Sequence, residues 1–285
     1  MFTRNILSVV LAAGLLAACS GGNGGASGNQ AASAAPSAAA SVDTSKTYIV
    51  ATDASYAPME YMENNAVVGF SHDILDAAAK TQNVKLNFVN TPFDGLFANI
   101  SKGDSDIGLA SITINDERKQ QLDFSDPYFA ATQMIVFNDN NKEKIKSFAD
   151  LKERSASVQS GTSGDLILQK LQGADSQKIK RFENMPLAFK ELENSGVDAV
   201  VGDSGVIAYY AKQHPDAKLT MILDPSFIKE EYGFAFRKGR NDGLREAINK
   251  GLAQIKSDGT YDKIHVQWFG APVTSASAPA ASAAK

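Results

Sequence analysis

The sequence predicts an α/β protein built as two similar lobes. Three observations lead there: alternating strand-like and helix-like segments, one repeated local pattern, and a body of about 225 residues between low-complexity ends, long for a single core. Tyr48 to Thr52 (YIVAT) is a short β-rich run that ends in turn chemistry at Asp53, Ser55 and Pro58. Val68 to Phe70 lead into Ile74 to Lys80, whose apolar spacing is helical, and Val84 to Val89 alternates as a strand does. Leu96, Phe97 and Ile100 mark the next amphipathic helix, and Ile107 to Ala110 form an apolar third strand. Ala156 to Gln159 and Ala199 to Val201 read as strands further on, with a helical DLILQKLQ after the first. Such alternation argues for parallel sheets with helices on their faces. The repeated pattern is LFANISKGDSDIGLAS (Leu96 to Ser111) against AFKELENSGVDAVVGD (Ala188 to Asp203), which aligns Gly103 with Gly196 and Asp106 with Asp198. Glycine past a helix is its usual stop signal, so the echo supports two lobes of one kind.

The chain has 285 residues, a net charge of -4 and scattered Lys and Arg. No basic stripe suits nucleic acid. Arg4 and the short apolar run Ile6 to Ala18 make residues 1–18 an export signal, too short to span a bilayer. Leu16, Ala17, Ala18 and Cys19 followed by Ser20 resemble the cleavage box of bacterial lipoprotein precursors, which makes Cys19 the expected lipidation site and anchor. Cys19 is the only cysteine, so no disulfide within the chain is expected. Residues 19–45, rich in Gly, Ala and Ser, read as a flexible tether, and residues 271–285 as a disordered tail.

Ligands of open α/β sheets bind at the carboxyl ends of the strands. Those ends here are Asp53 to Glu60, Ser111 to Arg118, Ser160 to Gly164 and Asp203. SGTSG (Ser160 to Gly164) is open to two readings, an anion nest at a helix N-terminus or a plain turn with Thr162 or Ser163 as N-cap. Arg118 is either a carboxylate clamp or a solvated charge in a DERK run, and Asp203 either an ammonium partner or the N-cap of SGVIAYYAK. Together, an anion nest, an Arg and an Asp at strand ends complement a zwitterion such as an α-amino acid.

VATDASYAPMEY, VGFSHDILDAAAK, ASITINDERKQQLDFSDPY, SGTSGD, VDAVVGD and KIHVQWFG, spread from Tyr48 to Gly270, resemble the extracellular solute-binding proteins for polar amino acids of bacterial ABC importers. One departure is Ser71, where the family usually carries an acid, with Asp73 kept. The resemblance implies a two-lobed periplasmic-binding-protein-like fold of type II, its two α/β lobes joined by two crossover strands near Phe137 to Asp139 and Lys229 to Tyr232. Residues 46–136 with 232–270 would form the first lobe and 137–231 the second. It further implies that Arg118, helped by the Thr113 NH and the Ser163 region, clamps the ligand carboxylate. Asp203 and the Ser111 carbonyl would receive the ammonium, with Tyr56 and Phe93 sandwiching the side chain, although Phe93 also reads as core packing at a helix start. No cofactor or metal is implied. The implied partners are an amino acid, an ABC permease with its ATPase, and the membrane through the lipid anchor, with the protein a periplasmic monomer.

Asp53 and Glu60 flank Tyr56 and suit a cationic side chain, so arginine, lysine or histidine is the expected ligand, with glutamine or cystine open, as is a solvated Glu60. Two other classes stay open: a dehydratase-like enzyme on the same fold and a sensor or adhesin that does not transport. His72, His214 and His265 are off the strand ends, and HExxH, CxxC and GxSxG are absent. The expectation is a binding protein, not an enzyme.

Overall fold

The computed structural model describes residues 41–270. The expected signal 1–18, Cys19, most of the tether and the tail 271–285 lie outside the described residues. Val42 already packs against the core, and the Asp43 carboxylate closes a turn by accepting from the Ser45 N–H and Oγ. The packed chain therefore starts before the Ser45 boundary expected from composition.

The chain enters through β1 (Thr47–Thr52), turns in the meander β2 (Ser55–Tyr56), β3 (Glu60–Glu63) and β4 (Ala66–Val68), and continues into α1 (Phe70–Thr81). It goes on through β5 (Lys85–Asn90), α2 (Phe93–Lys102), β6 (Ile107–Leu109), α3 (Asp116–Gln121), β7 (Leu122–Phe124) and β8 (Phe129–Ala131). The second lobe holds β9 (Gln133–Asn138), β10 (Ala156–Gln159), α4 (Ser163–Gln172), β11 (Ile179–Phe182) and α5 (Met185–Glu193). It closes with β12 (Ala199–Asp203), α6 (Ser204–Gln213) and β13 (Leu219–Ile222). The return runs through β14 (Glu230–Tyr232), β15 (Ala235–Arg237), α7 (Leu244–Ser257) and α8 (Thr260–Phe269).

Two five-stranded sheets result, ordered β5-β1-β6-β15-β7 and β11-β10-β12-β9-β13. In each, the first three strands are parallel and the fourth is antiparallel. That fourth strand is the one made directly after the chain crosses over, β15 after β14 and β9 after β8. The crossovers β8 and β14 pair antiparallel with each other. This is the two-lobed, type II α/β architecture predicted, with one correction. The first crossover is Phe129–Ala131, earlier than Phe137 to Asp139, because Met134 to Phe137 are fully buried in β9 between β12 and β13. A run buried on both faces is an interior strand and cannot serve as a connector.

The internal echo is physical. The Asp106 carboxylate accepts from the Ile49 N–H in β1, and Asp198 accepts from the Ser155 N–H just before β10. Each lobe thus uses an Asp just before one parallel strand, β6 or β12, to fix the start of the neighbouring strand, β1 or β10. The helix stops differ: Gly103 holds the left-handed conformation after α2, whereas Ser195 rather than Gly196 holds it after α5.

Phe70, Ile74, Leu75, Ala78 and Ala79 of α1 are buried, at roughly 1.5 to 3 kcal/mol for each large side chain. Helix α7 lies against this helix at Gly251, where a Cβ would meet the Ala78 carbonyl oxygen at 2.2 Å. Gly251→Ala should destabilise the protein by roughly 1 to 3 kcal/mol in urea titration while leaving ligand affinity unchanged. Wild-type stability in that variant would show that the two helices separate freely.

Candidate functional site

The sheets present their strand ends to one cavity lined by Asp53, Tyr56, Glu60, Phe93, Ala110, Ser111, Thr113, Arg118, Gln159, Thr162, Ser163 and Asp203. Every residue singled out above as ligand-binding is in this wall. The first lobe supplies the residues up to Arg118, and the second lobe the remaining four.

Asp53 follows β1, accepting from Ser55 Oγ at 2.7 Å and, from the second lobe, from Gln159 Nε2 at 2.6 Å. Burial pushes its carboxyl up. Ser111, beyond the end of β6, has a φ of +46°, a strained backbone costing about 1 to 3 kcal/mol that clusters at functional sites. Asn115 caps α3, its side chain accepting the Arg118 N–H at 2.8 Å. The cap fixes where the arginine emerges: Nη1 donates to the Thr113 carbonyl at 2.9 Å and Nη2 to the Gly161 carbonyl of the second lobe at 3.2 Å. The guanidinium also lies 5.8 Å from the Phe93 ring centroid and 5.3 Å from that of Phe97. Arg118 is therefore half-buried with carbonyl partners and no ion pair among the described residues, not the solvated charge of the alternative reading. Phe93 packs in the core and also lines the cavity.

Thr162 is the N-cap of α4, and Gly161 holds the left-handed φ of +72°. The Gly161 N–H is already taken by the Asp165 carboxylate, which pairs with Arg181. Two amides of the SGTSGD motif are thus spent internally, those of Gly161 and, through the Thr162 cap, Asp165, while the Ser163 and Gly164 amides of α4 lack intrahelical acceptors. Ser163 Oγ donates to Thr113 Oγ1 at 3.1 Å across the lobes.

Asp203 occupies the N-cap position of α6 but makes no capping hydrogen bond. Its carboxylate accepts from Tyr56 Oη at 2.7 Å, Tyr232 Oη at 2.5 Å and Gln133 Nε2 at 2.5 Å. Burial raises its pKa against the lowering effect of those three donors. Tyr56 is consequently tied across the cavity by its hydroxyl rather than presenting only a ring face. Gln133 Nε2 also reaches Glu230 at 3.2 Å, and Glu230 accepts from Thr113 at 3.0 Å.

Glu60 is fully buried, and neither carboxylate oxygen has a hydrogen-bond partner. Burial drives its pKa from 4.5 to about 8; the nearby Ser71 and Ser111 hydroxyls lower it, and the charges of Asp53 and Asp203 raise it. It is not a solvated loop charge. Ser111 Oγ is likewise buried without a partner. Arg118 is lowered, first by burial, with Glu230 and Asp203 acting in the opposite sense. The wall holds three carboxyls, Asp53, Glu60 and Asp203, against one guanidinium.

Gln159 and the network residues Gln133, Glu230 and Tyr232 were not singled out as site residues by sequence, and Thr162 was named only as a possible N-cap. Gln159 ends a predicted strand, so the strand-end rule would have found it. Gln133, Glu230 and Tyr232 sit on or beside the crossovers, and nothing local marks them.

Residues 48–271 match the family described as bacterial extracellular solute-binding proteins, family 3. A probable histidine-binding protein of Neisseria gonorrhoeae is 42% identical over 231 residues, spanning 80% of this chain and 85% of its own. The solved arginine-, lysine-, histidine-binding protein of Geobacillus stearothermophilus superposes with a TM-score of 0.77 at 40% identity, covering 80% of this chain and 97% of its own. An ancestral amino acid-binding protein, described as a precursor of cyclohexadienyl dehydratase, gives a TM-score of 0.70 at 39% identity over 78% of this chain and 95% of its own.

The environment of Glu60 sets a pH dependence. Its carboxyl ionises near 4.5 ordinarily and near 8 when folded, so the folded state holds the proton longer and this group lowers stability as pH rises through that window. Glu60→Gln should raise the stability of the unliganded protein by roughly 3 to 5 kcal/mol at pH 8.5 and change it little at pH 5, read by urea titration. An equal effect at both pH values would refute this account of the buried carboxyl.

Proposed function

The chain belongs to the bacterial extracellular solute-binding proteins of family 3, and from that premise we propose that it captures a cationic L-amino acid for delivery to an ABC permease. The charge of the wall carries this reading. Arginine, lysine or histidine in its charged form brings one carboxylate and two cationic groups, and the lining offers one guanidinium and three carboxyls. Arg118, with the Thr113 N–H and the α4 N-terminus near Ser163, takes the ligand carboxylate. Asp203 and the Ser111 carbonyl take the α-ammonium, and Tyr56 and Phe93 flank the side chain. Asp53 and Glu60 face its cationic end. The names of the gonococcal relative and the Geobacillus neighbour support a ligand of this class. Glutamine would leave Glu60 without a counter-cation, and cystine would bring a second carboxylate to a wall whose one guanidinium is already used.

We read the protein as a carrier rather than an enzyme. The dehydratase precursor is itself an amino acid-binding protein, and the cavity wall, among the described residues, offers carboxyls and hydroxyls without histidine or cysteine. The lobes, proposed as 46–136 with 232–270 and 137–231 apart from the crossover shift noted above, close on the ligand by hinge motion at β8 and β14. The Leu-Ala-Ala-Cys box supports export and a lipid anchor on Cys19, holding a periplasmic monomer at the membrane. The permease and ATPase are separate subunits.

Arg118→Ala should weaken amino-acid binding by roughly 2 to 5 kcal/mol in calorimetry, since the ligand carboxylate would be buried without its partner; unchanged affinity would remove Arg118 from the site. In a thermal-shift screen, arginine, lysine or histidine at 100 times its Kd should raise Tm by roughly 5 to 10 °C, from about 2.7 kcal/mol of linkage. Stabilisation by glutamine or cystine alone would overturn the cationic assignment.

A further inference from the structure

We propose that Glu60 is the proton switch of this cavity: it is protonated when the cavity lacks a cation and surrenders that proton when a cationic side chain enters. The inference rests on the reading of the pocket as a cationic amino-acid site. The geometry supplies the reason. Both Glu60 oxygens are buried without a hydrogen-bond partner, and the residue faces the cavity from the start of β3. An ionised carboxylate so placed would lack both water and a counter-ion, which a protein avoids by neutralising the group.

The groups around it reinforce this. Asp53 beyond β1 and Asp203 at the end of β12 are negative or neutral. Tyr56 on β2 and Tyr128 ahead of β8 are both held well above their ordinary range, first by burial and then by Asp203 for Tyr56 and by Glu60 for Tyr128. The nearest hydroxyls, Ser71 on α1 and Ser111 beyond β6, are neutral. Arg118, the one cation of the wall, spends two guanidinium nitrogens on the Thr113 and Gly161 carbonyls. Asp53 and Asp203, in contrast, each have close donors, from Ser55 and Gln159 for the first and from Tyr56, Tyr232 and Gln133 for the second. Those donors stabilise their charged forms, which leaves Glu60 as the carboxyl that a ligand must ionise.

The proton balance is simple. Neutral Glu60 loses H⁺ to solvent as the ligand's guanidinium or ammonium becomes its counter-ion, and no other bond changes. Affinity for a cationic amino acid then rises about tenfold per pH unit up to the pKa of the unliganded group and levels off above it. A neutral amino acid meets the protonated form and releases nothing, so one pocket discriminates by charge more sharply as pH rises.

The test is calorimetry of arginine at pH 7 in phosphate and in Tris, whose ionisation enthalpies differ. The observed heats should report close to one proton released by the wild type and close to none by Glu60→Gln. In infrared difference spectra of the wild type alone, a protonated carboxyl band should disappear on adding arginine, which keeps the inference testable should the variant not fold. Binding without proton release would overturn the inference and leave the pocket reading intact. Undiminished release from Glu60→Gln would move the switch to Asp53 or Asp203 and overturn it as well. If arginine, lysine and histidine all gave no heat, the pocket reading would fall and the inference with it.

Discussion

The buried carboxylate of Asp203 is the interaction around which the two lobes and their connections are organised. Its donors come from three places: Tyr56 in the first lobe, Gln133 just past the first crossover, and Tyr232 at the end of the second. A charge taken from water must be compensated by good hydrogen bonds or it neutralises. Hydroxyls and an amide do this without cancelling the charge. A lysine or arginine in their place would stabilise the carboxylate equally and leave nothing for the ligand ammonium that Asp203 is proposed to receive. The choice of neutral donors therefore joins the stability of the crossover region to the capacity for ligand. Glu230 extends the arrangement, touching Gln133 and Thr113 from the same strand that carries Tyr232.

On the opposite wall the constraint is positional. Arg118 belongs to a helix of six residues with no buried side chain, so packing alone would not hold it. Asn115 sets its backbone, the Thr113 carbonyl sets its side chain, and the Phe93 and Phe97 rings limit where the guanidinium can lie. Thr113 is itself held by a bridge to Tyr232 and by its hydroxyl bonds to Glu230 and Ser163. Both the anionic and the cationic parts of the cavity thus trace back to β14, which crosses between the lobes. A movement of that strand would displace the two ends of the site together, which is the property that hinge closure requires.

Much of this was legible in the sequence because it is local. Parallel α/β order follows from periodicity, and the rule that ligands sit at carboxyl ends of strands pointed to Asp53 to Glu60, Ser111 to Arg118, Ser160 to Gly164 and Asp203, stretches that all contribute to the cavity wall, while the roles of Ser111 and Ser163 came from the family resemblance. What was not legible depends on through-space partners. Asp203 stands where an N-cap would, and only the positions of Tyr56, Tyr232 and Gln133 show that its carboxylate faces away from that role. SGTSG carries the glycines of an anion nest, yet Asp165 fills part of it. The first crossover was placed late because QMIVFN gives no sign of which sheet it joins; pairing on both sides with β12 and β13 decides that.

The division of the wall between the lobes has a consequence for selectivity. Under the proposed roles, Asp53, Tyr56, Glu60 and Phe93 read the ligand side chain and all belong to the first lobe, whereas Ser163 and Asp203 of the second recognise groups common to every α-amino acid. The first lobe also carries Arg118, so it can hold the carboxylate and test the side chain before closure. The second lobe then adds hydrogen bonds that reward any correctly oriented amino acid equally. Binding energy that does not depend on the side chain cannot discriminate, since specificity is a difference of affinities. Selection is therefore made mainly in the first lobe, and its sharpest element is a carboxyl with no partner of its own: a cationic side chain supplies the counter-ion that ionised Glu60 lacks, while beside a neutral one the carboxyl stays protonated and adds no charge attraction.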